Sequence, residues 1–168
     1  MYKRQDYKRL FKTGDCVDLQ LSVDPGAKGG DMGASHVRLL FSQVEKKPVC
    51  VLMRPVDKGA AGDLAYKYHS PVGDKPFDRV EVRYDVAVSV QVEGQKYCLA
   101  AAVPLQAIGL NPSAGMTLKG DLGFISSDAA GTINVARTYW ANKDTNLVSD
   151  MPMEAWLYPA SWGELVFE

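Results

Sequence analysis

The feature that most constrains this fold is a stretch, residues 80–92, in which every second residue is apolar. Its apolar members are Val80, Val82, Tyr84, Val86, Val88, Val90 and Val92. Side chains alternate between the two faces of a β-strand, so the pattern predicts extended chain with one buried face. The stretch is longer than the usual strand of about 5–6 residues, which predicts a bend or bulge near Asp85. We expect Val86, Val88, Val90 and Val92 to face the space between two sheets.

Strand-like patterns fill most of the remaining chain. Further strands are predicted at residues 16–23, 36–44, 49–53, 97–103, 118–126, 133–140 and 163–167, with a short one near 66–68. Residues 104–109 begin with Pro and end with Gly, which predicts a helical turn, and residues 152–157 predict a second one. Turn residues separate the strands, and long amphipathic helices are absent. The sequence therefore predicts an all-β fold, a two-sheet antiparallel β-sandwich of jelly-roll or immunoglobulin-like type with one or two short helical turns.

Composition narrows the class of protein. The 168 residues suffice for one domain with its own core, and 46% apolar with 23% charged residues is the ordinary globular range. A net charge of -1 argues against a nucleic-acid surface, which needs an excess of Lys and Arg. No apolar run approaches the ~20 residues of a membrane helix. The three cysteines, Cys16, Cys50 and Cys98, lie in apolar runs without metal-ligand spacing and are interpreted as buried thiols, although one disulfide is an alternative.

Three segments, taken in order, resemble the family 9 carbohydrate-binding modules and their relatives. The first is Gly14–Leu21 followed by Asp24-Pro25, which resembles the family's Gly-Asp strand. The second is Tyr97–Leu110, similar to the family's strand and helical turn. The third is the segment Gly131–Glu168, which is similar to the family's closing pattern through Tyr139-Trp140, Trp156-x-x-Pro159 and Trp162-Gly163-x-Leu165.

The resemblance implies a non-catalytic accessory domain that binds a saccharide and belongs to an exported bacterial protein. It places the protein outside the cell or in the periplasm, next to neighbouring domains of a larger polypeptide. Family members carry further strands before the Gly-Asp pair. We therefore expect residues 1–13 to be an N-terminal remnant, non-native at its start, and residues 14–168 to form the β-sandwich.

A saccharide site needs flat aromatic surfaces and hydroxyl-binding groups. In the strand 133–140, Trp140 falls on the face opposite Tyr139, which predicts that the indole either binds a sugar or packs under the loop 142–153. Trp156 stands in a family-like position. The sites predicted for the sugar are Trp140, Trp156, Asn142, Lys143 and Phe11, the last as one of the aromatics nearest the family's missing tryptophan. Trp162 is predicted to lie in the core.

The resemblance brings two cofactors into consideration. Calcium is typical of the family, and Asp24, Asp31 and Asp128 are the loop carboxylates that suit it. Related DOMON domains hold haem b between Met and His or Lys. The candidates here are His36, His69, Met53 and Met116, but a surface histidine and core methionines are the plainer interpretation, so haem is not predicted.

Motifs for catalysis are missing from the sequence. It contains neither Gly-x-Ser-x-Gly nor His-Glu-x-x-His, and its two histidines support no Ser-His-Asp arrangement. We expect no enzyme. Two alternatives stay open: a haem-binding electron-transfer domain on the same sandwich, and a structural module that packs against a neighbouring domain without a small ligand.

Overall fold

The computed structural model describes residues 6–27, 30, 32–94, 96–143 and 159–168. Its strands are β1 Cys16–Ser22, β2 His36–Val44, β3 Lys47–Arg54, β4 Tyr66–Ser70, β5 Gly73–Phe77, β6 Arg79–Val82, β7 Ala87–Glu93, β8 Lys96–Ala102, β9 Thr117–Ser127, β10 Asn134–Tyr139 and β11 Gly163–Val166. The helical segments are single turns: the α-helical turn Leu10–Thr13 and the 3-10 helices Tyr7–Arg9, Gly62–Leu64, Leu105–Ile108 and Pro159–Ser161. None of the helices in these residues is long and apolar enough to cross a membrane.

The strands form one large antiparallel sheet and two small ones. The main sheet has the order β10-β9-β1-β2-β3-β6, and β11 joins it along β9. Strands β4 and β5 pair only with each other and are called the hairpin, and β7 and β8 likewise form the ribbon. The predicted all-β sandwich is thus confirmed, with its strands divided among three sheets.

Each face of the main sheet packs against a different layer. The face called the hairpin face is covered by the hairpin and the N-terminal helical turn, and its buried apolar side chains are Leu10, Phe11, Cys16, Leu40, Val51, Met53, Tyr68, Phe77, Val80 and Ile125. The opposite one, the ribbon face, is covered by the ribbon and the helix Leu105–Ile108. Its buried apolar side chains are Val17, Leu21, Val37, Leu39, Phe41, Cys50, Leu52, Val86, Ile108, Leu110 and Leu118. Strand β1 is consequently buried on both faces.

The predicted bend near Asp85 is a complete change of sheet. Strand β6 belongs to the main sheet, residues 83–86 turn, and β7 continues in the ribbon. Arg83 and Asp85 close this turn with two hydrogen bonds between guanidinium and carboxylate, of 2.9 and 2.6 Å. The alternating residues 80–92 therefore contribute to two layers, to the main sheet through β6 and to the ribbon through β7.

The prediction for the four valines holds only at one end. Val86 is buried, Val88 and Val90 are partly buried, and Val92 is exposed. The ribbon packs on β2 and β3 through β7, whereas at its far end an open cleft separates the two layers, and Val92 lines that cleft. Alternation predicts which face a side chain takes, but not how far the opposing layer reaches.

Two turns predicted from the sequence are present in the structure. The helix Leu105–Ile108 ends at Gly109, whose φ of 81° lies in the left-handed region that favours glycine. Strands β2 and β3 are joined by Glu45 and Lys46, both with positive φ, which is the geometry of a two-residue hairpin turn. The hairpin was predicted, although β3 begins two residues earlier, at Lys47, and includes Pro48.

Candidate functional site

An exposed strip of side chains lies on the ribbon face where β9 and β10 are not covered by the ribbon. Its members are Leu122, Phe124, Thr138 and Trp140. Phe124 pairs with Thr138 across the two strands, and the Trp140 amide donates to the Leu122 carbonyl at 2.8 Å. Trp140 is 53% exposed and Phe124 49%. Large apolar side chains grouped in this way on a surface mark a binding site or an interface. We refer to this group as the aromatic strip.

Trp140 lies against the start of the last strand. A Cβ added to Gly163 would be 2.6 Å from Cη2 and from Cζ3 of the indole. Only a residue without a side chain therefore allows the indole to occupy this position. The six-membered ring of Trp140 is supported from one side by β11 while more than half of the side chain stays accessible.

A β-bulge decides which side chains of β10 turn outward. The register of β10 on β9 shifts between Asn134 and Ala136, so Val135 is the extra residue. After the bulge Arg137 and Tyr139 point into the hairpin face, whereas Thr138 and Trp140 point outward. The predicted separation of Trp140 from Tyr139 is confirmed. Strict alternation along 133–140 also predicts that Ile133 and Val135 share the face of Tyr139; this is wrong, because both are exposed, the first before the bulge and the second within it.

A cleft opens beside the strip, between the ribbon and the main sheet. Its volume is about 1030 Å³. One wall is the inner side of the ribbon with Val90, Tyr97 and Leu99, and the other includes Phe41 and the turn that follows β9. Asp15, Ser42, Gln43, Lys96 and Asp128 add polar groups to the lining. The cleft is mixed in polarity and adjoins the same end of β9 that carries Phe124.

Behind the strip, on the hairpin face, lies a buried network of charged and polar side chains. Arg38 donates to both carboxylate oxygens of Asp18, from Nε at 3.1 Å and from Nη2 at 2.7 Å. Tyr139 donates its hydroxyl to Asp18 at 2.7 Å, and the Gln20 amide donates to it at 3.1 Å. Burial, followed by the Asp18 charge, raises the pKa of Tyr139. The hydroxyl therefore stays protonated and holds β10 against β1.

Asp121 fixes the backbone of the residues that follow Trp140. Its Oδ1 accepts from the Leu122 and Ala141 amides, each at 2.9 Å, and its Oδ2 accepts from the Asn142 amide at 2.8 Å. The side chain is buried on β9, in a position where strand alternation alone predicts nothing of this role. Asp121 thus positions the backbone that follows the indole.

Two of the residues that were predicted to bind the sugar are buried. Phe11 is completely buried, where its ring packs edge-on against Tyr68 at 5.1 Å and beneath the Arg38 guanidinium at 4.9 Å. Asn142 is 1% exposed. A buried side chain offers no surface to a sugar, so both predictions are wrong. Phe11 lies there because Leu10 and Phe11 cap the hairpin face, and Asn142 because Asp121 draws its backbone inward.

The remaining predictions for the sugar site have different outcomes. Lys143 is exposed, and its ammonium donates to the Tyr139 carbonyl, next to Trp140. Trp162 is 4% exposed, which confirms its core position. Trp156 lies outside the described residues, as does the helical turn predicted at 152–157.

The carboxylates predicted for calcium serve local turns instead. Asp24 accepts from the Gly26 amide at 2.8 Å, and Asp128 accepts from the amide and hydroxyl of Thr132. Asp31 lies outside the described residues. In the parts of the chain that the structure describes, no group of three His, Cys, Asp or Glu side chains could hold a metal ion. The described residues therefore do not fit the implied calcium.

The histidines and methionines considered for haem are dispersed. His36 is buried; its Nδ1 accepts from the Gly33 amide, and its ring packs on Trp162. His69 is exposed and bonds to Asp74. Met53 is buried in the hairpin face, whereas Met116 packs against the ribbon face. Neither the cleft nor a smaller cavity at the far end of β3 is lined by a histidine or a methionine.

Cys16 and Cys50 are buried free thiols as predicted, whereas Cys98 is an exposed free thiol on β8. The default interpretation is therefore wrong for Cys98, because its neighbours Tyr97 and Leu99 take the inner side of the ribbon and leave Cys98 on the outer side.

The comparisons with known proteins do not extend these observations. No family model, no curated protein and no solved structure matches the chain. The fold and the site together define an all-β sandwich with a surface aromatic strip and an adjoining cleft.

Proposed function

We propose that this chain is a non-catalytic saccharide-binding domain of the kind that the family 9 resemblance implies, with the sugar stacked on Trp140. The single observation that carries the proposal is the indole of Trp140, more than half exposed and supported by Gly163. An aromatic side chain that is rigid, exposed and backed by the backbone offers the C–H face of a sugar ring a flat apolar surface.

The surroundings of Trp140 fit such a ligand. Phe124 extends the apolar surface along β9, and Thr138, which pairs with Phe124, adds a hydroxyl on the same face. Lys143 adds an exposed side chain with a donor group, bonded to the carbonyl of the residue before Trp140. The Trp140 amide is bonded to the Leu122 carbonyl, and the backbone that follows Trp140 is held by Asp121. Binding to such a surface costs little ordering of side chains, which is the benefit of preorganisation.

The test is a titration with a panel of soluble oligosaccharides, followed by tryptophan fluorescence. Trp140→Ala should weaken binding more than tenfold, because a stacked central aromatic commonly contributes above ~2 kcal/mol. Phe124→Ala should weaken it less. Gly163→Ala should also weaken it, because the new methyl group displaces the indole without removing it. By the family resemblance, Trp156→Ala should have an effect similar to that of Trp140→Ala.

Two controls separate binding from folding. Tyr84 is the most exposed aromatic among the described residues and lies in the turn between β6 and β7, so Tyr84→Ala should leave sugar binding unchanged. Trp162→Ala should lower the free energy of unfolding by about 3–5 kcal/mol while the folded fraction still binds. If no saccharide perturbs the emission at millimolar concentration, the proposal fails.

A structural module without a small ligand is the second candidate, and one observation favours it. Ile133 and Val135 are exposed on β10 and its preceding turn, so they enlarge the apolar surface of the β9–β10 edge beyond the aromatic strip. A patch of this kind suits contact with a neighbouring domain. This candidate predicts that the isolated chain associates at high concentration, and that Phe124→Lys prevents the association without any response to sugars.

A further inference from the structure

A second cavity lies on the ribbon face, at the end of β3 away from the cleft. Its volume is about 580 Å³, within the range of small-molecule sites. It is lined by backbone of the helix Leu105–Ile108 and by several cationic side chains. The charged and amide side chains in its lining are Arg54, Lys58, Arg79, Arg83, Asp57 and Gln106. Four cations and one carboxylate therefore face the same space.

Two of the arginines are already paired with carboxylates. Arg79 donates to Asp57 at 2.7 Å and to Glu81 at 3.2 Å. Arg83 makes the two-pronged pair with Asp85 that closes the turn between β6 and β7. These pairs orient the rim of the cavity. The carboxylates nearest to the cavity are therefore already engaged in these pairs. The Asp78 carboxylate accepts from the Asp57 amide and does not line the cavity.

Arg54 differs from the other two arginines. Its Nη2 donates to the Ile108 carbonyl at 2.6 Å, and within the described residues it forms no ion pair with a carboxylate. Burial lowers the pKa of Arg54, and the charges of Arg79 and Arg83 lower it further, against the opposing charges of Asp57 and Glu81. A half-buried guanidinium next to two other cations is incompletely compensated, and an anion in the cavity would supply the missing charge.

The end of the neighbouring helix accounts for only one of the N–H groups of Arg54. Gly109 in its left-handed conformation ends the helix, and the Gly109 and Leu110 amides bond back to the Gln106 and Leu105 carbonyls. This is the usual way in which a helix C-terminus is satisfied. The bond from Arg54 to Ile108 adds to that end but uses one of the five N–H groups of a guanidinium.

We propose that this cavity is a binding site for the oxyanion group of a small organic molecule, a carboxylate or a phosphate, with Arg54 as its anchor. A guanidinium presents parallel N–H groups at the spacing of two oxygens of such an anion. Lys58 contributes a second positive charge, and Gln106 can donate through its amide. The volume exceeds that of a bare ion, so the site accommodates the organic part beside the anionic group. This inference is independent of the saccharide proposal, because cavity and aromatic strip share no residue.

The experiment measures binding of inorganic phosphate, acetate and glucuronate to the whole chain by calorimetry and by NMR of the arginine Nε–H groups, at constant ionic strength maintained with chloride. Saturable binding of at least one of them is expected, and Arg54→Gln should weaken it at least tenfold. Lys58→Gln should weaken it severalfold. Phosphate alone indicates a phosphorylated ligand, and the two carboxylates alone indicate an organic acid; either result supports the proposal.

The matched control is Lys67→Gln, which removes the same charge from an exposed position on β4, over the opposite face of the main sheet. It should leave anion binding unchanged. Should Arg54→Gln fail to fold, Arg54→Lys keeps the charge without the paired N–H groups and should also weaken binding. The proposal is overturned if no anion binds saturably, or if the Arg54 and Lys58 variants bind as tightly as the parent chain.

Discussion

Asp18 and Arg38 form a two-pronged ion pair across β1 and β2, and neither side chain has any exposed surface. Burial by itself would lower the pKa of Arg38, but the charge of Asp18 and its hydrogen bonds to the guanidinium outweigh it, so that the pKa rises. The guanidinium therefore stays charged in the folded protein. The pair lies on the hairpin face of the main sheet, opposite to the face that carries the aromatic strip.

Breaking this pair should destabilise the fold severely. Asp18→Asn leaves the Arg38 guanidinium buried without its counter-charge, which typically costs about 3–5 kcal/mol. The free energy of unfolding, measured by urea denaturation, should fall by that amount. The matched control is Glu164→Gln in the exposed pair with Lys119, where a change below about 1 kcal/mol is expected. Equal effects of the two variants would contradict the assigned role of the buried pair.

Gly123 should not tolerate a side chain. A Cβ at this position would overlap the ring carbons Cδ1 and Cε1 of Tyr139, which is buried and bonded to Asp18. Gly123→Ala should therefore lower the free energy of unfolding by about 1–3 kcal/mol, the usual cost of overpacking. Gly62→Ala is the control, since nothing lies within 4 Å of the added methyl group. Thermal denaturation of the two variants compares them, and a neutral Gly123→Ala would show that Tyr139 does not occupy this position.

The three thiols should differ in reactivity. The thiolate is the reactive form, and burial raises the pKa of Cys50 to about 12 and that of Cys16 still further. Cys98 is exposed on β8. A thiol reagent at neutral pH should therefore label one cysteine in the folded chain and three in guanidinium chloride, and Cys98→Ser should abolish the native labelling. Native labelling that survives in this variant would disagree with the burial of Cys16 and Cys50.

Stability should depend on pH through His36. Burial lowers the pKa of His36 below its usual value near 6.5, although the Asp24 charge acts in the opposite direction. Between the two pKa values the unfolded chain binds more protons than the folded one, so stability should fall as the pH drops below 6.5 and level off below the folded-state pKa. Urea midpoints between pH 5 and 7.5 measure this slope.

His36→Gln should flatten this slope, whereas His69→Gln, which changes an exposed histidine, should preserve it. A slope that is the same in both variants would assign the pH dependence to other groups.

Local patterns in the sequence predict much of the fold but little of the polar core. The alternation of residues 80–92 and the Pro-to-Gly turn at 104–109 each report on short-range geometry, and the structure follows them. Asp18 and Gln20 alternate with leucines, a pattern typical of a solvated strand face, yet both are buried. Their partners Arg38 and Tyr139 lie on other strands. The hydrogen bonds that allow these polar groups to be buried therefore leave no pattern in the local sequence.

The candidate site shows the same division. Trp140 was predicted to face away from Tyr139 from simple alternation, and it does so. The bulge at Val135 contains neither glycine nor proline, so the sequence gives no sign of it, and it reverses the expected burial of residues before it. Asp121 and Gly163, which fix the position of the indole, act through contacts between distant segments. Nothing in the local sequence distinguishes Arg54, because a cation that ends an apolar strand usually lies in solvent.

The pairing of β1 with β9 has a consequence for how the chain reaches its structure. The two strands lie far apart in the sequence, and Gln20 is aligned with Asp121. The ribbon, by contrast, joins neighbours around a short turn and needs little loop closure to form. Contacts between distant segments slow folding, because chain entropy is lost before the contacts compensate for it. During synthesis, β1 and β2 can form a pair long before β9 emerges from the ribosome, and until then the free side of β1 is an unprotected edge.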